Sequence, residues 1–108
     1  MMSKNICVDF DGVLNNYEGW NGVEELYSPS NGAKEFLEEL YDKYYVIIFT
    51  ARDVDLVEEW LVKYDMPFNE VTNIKRGAFA YIDDRAICFK GDYNDILNTL
   101  SVFKAHWE

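Results

Sequence analysis

The five-residue run YVIIF at positions 45–49 constrains the fold more than any other segment of the sequence. Its residues are aromatic or β-branched, and no polar residue alternates with them. Such a run predicts a strand that is buried on both faces, as strands are in parallel sheets. Because parallel strands are usually joined by helical crossovers, the run predicts an α/β domain.

Segments with helical periodicity alternate with short apolar runs along the rest of the chain. Asn31 and Asp53 are candidate N-caps of the first two helices, and Pro67 is a stop signal after the second. Residues 15–32 are rich in Asn, Gly and Ser, which is typical of a loop. The alternation predicts a small doubly wound, Rossmann-like parallel sheet of about five strands flanked by helices. The other predicted strands are 5–8, 68–72, 80–82 and 86–89. Each of the three predicted helices has one apolar face: Ala33, Phe36, Leu37, Leu40, Tyr41 and Tyr44 in the first, Val54, Val57, Trp60, Leu61 and Tyr64 in the second, and Tyr93, Ile96, Leu97, Leu100 and Phe103 in the third.

Length and charge limit the classes of protein that the chain can belong to. Its 108 residues predict one domain, residues 1–108. The net charge of −10 disfavours binding to nucleic acid or to an anionic membrane. No apolar run approaches the ~18 residues of a membrane span, and Asp9 interrupts the N-terminal region before a signal-peptide core can form. We therefore expect a cytoplasmic protein, with Cys7 and Cys88 as buried thiols.

Side chains that carry chemistry stand where the predicted strands end. Asp9 and Asp11 follow the first strand, Thr50 follows the second, and the pair Asp83-Asp84 follows the fourth, which Lys75 precedes. Each feature alone is ordinary, since Asp-Gly and Asp-Asp form turns, Thr ends strands and lysines are solvated. Ligands of open α/β sheets bind at the carboxyl ends of the strands, so together these residues predict a site at one edge of the sheet.

The predicted convergence of four carboxylates indicates a metal. Carboxylates that share a partly buried pocket repel one another and stay ionised together only beside a cation. An all-oxygen ligand set selects a hard ion, and Mg²⁺ combines one or two carboxylates with water and substrate phosphate. The lysine and the threonine would then serve a phosphate-sized anion, which favours phosphoryl chemistry.

These residues also resemble the signature motifs of a known family. The run DFDGVL at positions 9–14, Thr50, Lys75 and the IDD at 82–84 resemble the four motifs of the haloacid dehalogenase superfamily, in the order in which that family carries them. The resemblance extends from residue 5 to about residue 90. It implies the fold of that family and a hydrolase of the phosphatase type.

The resemblance also implies roles for individual residues. Asp9 would attack phosphorus and form an aspartyl-phosphate, and Asp11 would protonate the leaving oxygen and later deprotonate water. An acid at position 11 is typical of the family's phosphatases and is missing from its dehalogenases. Mg²⁺ would be held by Asp9, the Asp11 carbonyl and Asp84, with Asp83 assisting through water. The implied phosphate-binding residues are Gly12, Thr50, Ala51, Arg52 and Lys75.

Some residues fit the pattern less directly. Asp92 and Asp95 resemble an alternative acidic motif of the family, but Asp92 is better placed as the cap of the last helix, so we favour Asp83-Asp84. Lys75 is followed by Arg-Gly where the family often has Pro. His106 is expected at the surface. Trp60 and Trp107 are expected in the core or at an interface.

The intervals between the motifs leave no room for an inserted lid domain, so a capless enzyme with an open site is expected. An open site suits a bulky substrate or closure by a neighbouring subunit of a homo-oligomer. Tyr17, Trp20 and Tyr27 in the loop 15–32 could stack on a substrate or pack the loop onto the core. Arg52 and Arg85 flank the site and could bind phosphate or form structural ion pairs.

Three functions follow from these observations. The leading hypothesis is a Mg²⁺-dependent phosphomonoesterase that acts on a small metabolite, a sugar phosphate or a nucleotide. The second is a phosphatase for nucleic-acid ends, which the net charge of −10 opposes. The third is a module that binds Mg²⁺ and phosphate without turnover, which would need neither Asp9 nor Asp11 as reacting groups.

Overall fold

The computed structural model describes residues 4–22 and 25–108. Within them the chain alternates between strands and helices, as the sequence pattern predicts. The elements are β1 (Asn5–Asp9), α1 (Ala33–Lys43), β2 (Tyr45–Phe49), α2 (Val54–Lys63), β3 (Glu70–Thr72), β4 (Ala80–Ile82) and α3 (Tyr93–Leu100).

The four strands form one parallel sheet in the order β3-β2-β1-β4. Asp9 pairs with Phe49, and Phe49 pairs with Thr72, so β1, β2 and β3 end in register. On the other side of β1, Val8 pairs with Ile82, which is the last residue of β4. The prediction of a parallel α/β sheet is therefore confirmed. The register brings the residues that follow each strand to the same edge.

The main core lies on one face of the sheet. Ile6, Val8, Val46 and Ile48 alternate along β1 and β2 and belong to one buried cluster. The helices supply the other side of this cluster. Burying each large apolar side chain contributes about 1.5–3 kcal/mol. The buried helical residues of the cluster are Ala33 and Leu37 of α1 and Val57, Trp60 and Leu61 of α2.

The sequence predicts a doubly wound arrangement, in which helices cover both faces of the sheet, but the second face differs from this prediction. Cys7 and Ile47 on this face are buried. No helix in the described part of the chain packs there, because α1 and α2 both join the core on the first face and α3 contacts no other helix or strand. The connection from β3 to β4 contains no helix, and its Lys75 lines a cavity of about 290 Å³ together with Cys7.

The C-terminal third departs most from the sequence predictions. Residues 86–89 form no strand, so the described sheet has four strands rather than five. The helix α3 forms as predicted but buries none of its residues, and Leu97 is 64% exposed. Cys88 is exposed, which corrects the expectation of two buried thiols, whereas Cys7 is buried. An apolar run becomes a strand only where a neighbouring strand offers hydrogen bonds, and residues 86–89 have no such partner in the described sheet.

Local caps explain where the helices begin. The Asp53 carboxylate accepts hydrogen bonds from the backbone of Asp55 and Leu56, which confirms its predicted role at α2. Asp92 caps α3 in the same way. At α1 the prediction of Asn31 as the cap is wrong, because Gly32 holds the N-cap position with a φ of 88° and no side chain caps the helix.

The three described helices are all too short, or too polar, to cross a membrane.

Candidate active site

Three carboxylates converge at the carboxyl edge of the sheet. Asp9 ends β1, and Asp83 and Asp84 directly follow β4, its neighbour in the sheet. One carboxylate oxygen from each lies within 4.8 Å of the others. Asp83 is held in place by its own turn, because its Oδ1 accepts a hydrogen bond from the Arg85 backbone at 2.8 Å. The predicted meeting of these three acids is confirmed.

The closeness of the carboxylates changes the acidity of Asp9. Burial, a hydrogen bond with Asp84 and the negative charges of Asp83, Asp84 and Asp11 together raise the pKa of Asp9 to about 8. Without a cation, Asp9 therefore keeps its proton up to a pH of about 8. A divalent cation among the three oxygens would offset the charges of the neighbouring carboxylates and so lower the pKa of Asp9.

Asp11 lies in the same pocket but points its carboxylate at other partners. The pocket has a volume of about 270 Å³ and is lined by Asp9, Asp11, Asp83 and Asp84 among others. One Asp11 oxygen accepts a hydrogen bond from Asn15 Nδ2 at 2.9 Å, and the other accepts one from Arg52 Nε at 2.7 Å. Two neighbours therefore fix the orientation of this acid.

The end of β2 supplies the neutral and cationic groups of the pocket. Thr50 is buried, and its backbone N–H donates to the carbonyl of Thr72 in the adjacent strand. Its hydroxyl accepts a hydrogen bond from the Arg52 backbone at 3.0 Å. Thr50, Ala51 and Arg52 all line the pocket beside Asp9. The guanidinium of Arg52, which is predicted to bind phosphate, contacts Asp11 in this structure.

Gly12 forms a tight turn directly after Asp11. Its φ of +85° lies in the left-handed region, and a Cβ atom there would clash with Asp84 Oδ2 and lie 2.8 Å from Trp107 Nε1. Its backbone N–H donates to Asn15 Oδ1 at 2.9 Å, so the predicted phosphate-binding amide already has a partner. Only glycine allows Asp84 to approach the chain so closely at this point.

Lys75 occupies a different position from the other predicted residues. It is exposed and lines the adjoining cavity of about 290 Å³, which shares Asp9, Phe49 and Asp83 with the first pocket. Its ammonium lies 5.0 Å from the centre of the Tyr81 ring. The structure thus brings seven of the predicted residues into one pocket and places Lys75 next to it. The seven are Asp9, Asp11, Thr50, Ala51, Arg52, Asp83 and Asp84.

The loop aromatics divide between the pocket and the core. Tyr17 and Trp20 line the pocket, and the Arg52 guanidinium lies 5.0 Å from the centre of the exposed Trp20 ring. Tyr27 anchors the loop instead, because its hydroxyl donates to the Gly19 carbonyl and its own carbonyl accepts from Trp60 Nε1. The loop therefore both packs onto the core and presents two rings to the site. Residues 23 and 24 of this loop lie outside the described residues.

Three residues at the site were not predicted to belong to it. The Asn15 side chain forms hydrogen bonds with Asp11 and Gly12. Trp107 Nε1 donates a hydrogen bond to Asp84 Oδ2. The imidazole of His106 donates one through Nε2 to the Gly12 carbonyl. His106 is exposed as expected, and Trp60 lies in the core as expected. The spacing of Asn15 after Asp11 is a local signal for a turn. The contacts of His106 and Trp107 join the two ends of the chain and leave no signal in the local pattern.

Comparison of the chain with protein-family models, with curated proteins and with solved structures gives no match.

Proposed function

We propose that the chain is a Mg²⁺-dependent phosphomonoester hydrolase of the haloacid dehalogenase type that acts on a small phosphorylated metabolite, a sugar phosphate or a nucleotide. The observation that carries the proposal is the cluster of Asp9, Asp83 and Asp84, with their oxygens within 4.8 Å of one another. Asp11 and Thr50 line the same pocket, as a phosphoryl-transfer site requires.

The donor set of the cluster fits Mg²⁺. Three carboxylates offer only oxygen atoms, and neither cysteine lines this pocket, so the set suits a hard cation. The pKa of Asp9, raised to about 8 first by burial and then by the hydrogen bond with Asp84 and the neighbouring carboxylates, is consistent with a site whose acids ionise together beside a cation. Mg²⁺ bound there would neutralise charge on the phosphoryl oxygens.

The proposed reaction uses Asp9 and Asp11 in two steps. In the first step an Asp9 carboxylate oxygen bonds to phosphorus, the ester P–O bond breaks, and Asp11 gives a proton to the leaving oxygen. Asp11 must first leave its ion pair with Arg52 and take up that proton. In the second step water attacks phosphorus and passes a proton to Asp11, and the bond between phosphorus and Asp9 breaks. The products are an alcohol and inorganic phosphate, and both aspartates return to their starting states.

The remaining residues of the pocket would bind and orient the phosphoryl group. Thr50 offers a buried hydroxyl beside Asp9, and Asn15 with Arg52 orients Asp11. Lys75 would contribute positive charge from the adjoining cavity, which Asp9 also lines. A pocket of about 270 Å³ suits a small substrate, and the rings of Tyr17 and Trp20 can contact its leaving group.

The proposal is tested by measuring phosphate release from a panel of sugar phosphates, nucleotides and p-nitrophenyl phosphate, with Mg²⁺ and with EDTA. We expect release that requires Mg²⁺ and that Asp9→Asn abolishes. Asp92→Asn is the matched control, because Asn also caps helices and Asp92 belongs to the alternative acidic motif. Release that survives Asp9→Asn, or that Asp92→Asn abolishes instead, would refute the proposed site.

A further inference from the structure

One side chain from the end of the chain contacts three residues of the pocket lining. Trp107 Nε1 donates a hydrogen bond to Asp84 Oδ2. The Trp107 ring meets the Tyr17 ring edge to face, with 4.8 Å between their centres. The Arg85 guanidinium lies 4.8 Å from the centre of the same ring. Tyr17, Arg85 and Asp84 all line the pocket of about 270 Å³.

The segment that carries Trp107 is anchored over the turn after β1. Ala105 is only 2% exposed. His106 Nε2 donates to the carbonyl of Gly12, the residue whose missing side chain leaves room for Asp84 Oδ2 and Trp107 Nε1. These contacts join residues that are far apart in sequence, so they fasten the C-terminal segment to the side of the site that carries Asp84.

We propose that residues 105–107 brace the open pocket in place of a lid domain and that Trp107 is a positioning residue. Its N–H holds Asp84 in the orientation that Mg²⁺ needs, and its ring holds Tyr17 and Arg85 against the leaving group of the substrate. This inference rests on the proposed function, because it assigns a role to Trp107 in that same site.

The chemistry of the indole supports both parts of the role. The indole nitrogen is a donor only, so it can orient the Asp84 carboxylate without replacing it as a ligand. Groups that orient metal ligands typically contribute 10- to 100-fold to metal affinity. The ring face attracts the guanidinium of Arg85, and its contact with Tyr17 has the edge-to-face geometry that aromatic pairs prefer.

The first test is Trp107→Phe, which removes the N–H and keeps an aromatic ring. Calorimetric titration with MgCl₂ should show binding weakened roughly 10- to 100-fold. At saturating Mg²⁺, kcat for p-nitrophenyl phosphate should recover and KM should stay within about twofold of the unsubstituted protein. Phe103→Leu is the control, since Phe103 lies earlier in the same stretch and outside the pocket lining. Thermal unfolding and circular dichroism check that both variants fold.

The second test is Trp107→Ala, which removes the ring as well. We expect the same loss of Mg²⁺ affinity and, in addition, a KM for p-nitrophenyl phosphate that saturating Mg²⁺ does not restore. Unchanged or tighter Mg²⁺ binding by folded Trp107→Phe, while the unsubstituted protein binds Mg²⁺ and releases phosphate, would overturn this inference alone. If the unsubstituted protein neither binds Mg²⁺ nor releases phosphate, the proposed function and the inference both fail.

Discussion

Arg52 and Asp11 form an ion pair in the wall of the pocket, with 2.7 Å between Nε and Oδ2. The Arg52 side chain is 2% exposed and the Asp11 side chain 23% exposed, so solvent screens this pair only weakly. The pair links the turn after β1 to the end of β2 and thereby fixes the acid that the proposed reaction uses.

Arg52→Met leaves the Asp11 carboxylate partly exposed and still bonded to Asn15, so we expect it to lower the free energy of unfolding by about 1–3 kcal/mol. Asp11→Asn should cost less, since the amide still accepts a hydrogen bond. A double-mutant cycle with urea unfolding measures the coupling between the two positions. A coupling energy near zero would show that the pair does not stabilise the fold.

Alanine substitutions at Gly12 and Gly91 distinguish the cost of backbone strain from the cost of a steric clash. Both have a positive φ, +85° and +100°, but only at Gly12 would a Cβ atom meet Asp84 and Trp107. We expect Gly91→Ala to lower stability by about 1 kcal/mol through backbone strain alone. Gly12→Ala should cost more and should also weaken Mg²⁺ binding, because Asp84 must move. Equal effects of the two substitutions on Mg²⁺ affinity would contradict this account.

The raised pKa of Asp9 predicts how the stability of the metal-free protein depends on pH. With a pKa of about 8 in the folded state and 3.8 as the ordinary value, the folded protein binds the extra proton. The stability that this bound proton gives the folded protein is fully present below about pH 4 and is lost as the pH rises through about 8. Thermal unfolding without metal should therefore show a falling melting temperature over this range, and Asp9→Asn should flatten the profile.

Mg²⁺ should reverse this trend, because the ion binds the ionised carboxylates. We expect Mg²⁺ to raise the melting temperature more at about pH 9 than at about pH 6. A Mg²⁺ effect of the same size at both pH values would argue against Asp9 as a ligand.

The helices α1 and α3 should differ in how much stability the protein loses when one of their leucines is shortened to alanine. Leu37 of α1 is fully buried, whereas Leu97 of α3 is 64% exposed. We expect Leu37→Ala to lower the free energy of unfolding by about 2–5 kcal/mol. Leu97→Ala should change it by no more than about 0.5 kcal/mol. Chemical denaturation of both variants provides the comparison, and a large loss from Leu97→Ala would show that α3 packs more tightly in solution.

The parts of the fold that local interactions determine could be predicted from the sequence. The strand Tyr45–Phe49 has the predicted bounds, because its unbroken apolar run requires burial on both faces. Asp53 and Asp92 cap their helices through bonds to backbone atoms two and three residues later, which is a short-range pattern. The failed strand at 86–89 and the unburied α3 depend on partners elsewhere in the chain, and no local pattern specifies those.

The candidate site also combines features that could be predicted from the sequence with features that could not. The positions of Asp9, Thr50 and Asp83 could be predicted because parallel strands end at one edge, and the register confirms this. The orientation of Asp11 toward Arg52 and the contact of Trp107 with Asp84 could not, because each depends on side-chain packing between distant segments. Sequence spacing locates the backbone of a site better than it locates the partners of each side chain.

The measurement that tests the central claim most directly is the chemical trapping of the proposed aspartyl-phosphate. Asp11→Asn should slow hydrolysis of this intermediate, while p-nitrophenyl phosphate supplies a leaving group that needs no acid. Borohydride reduces an acyl phosphate of aspartate to homoserine, which mass spectrometry locates in the chain. We predict homoserine at position 9 with Mg²⁺ and none with EDTA. Phosphate release with the modification at another residue, or with no modification at all, would contradict the assignment of Asp9 as the nucleophile.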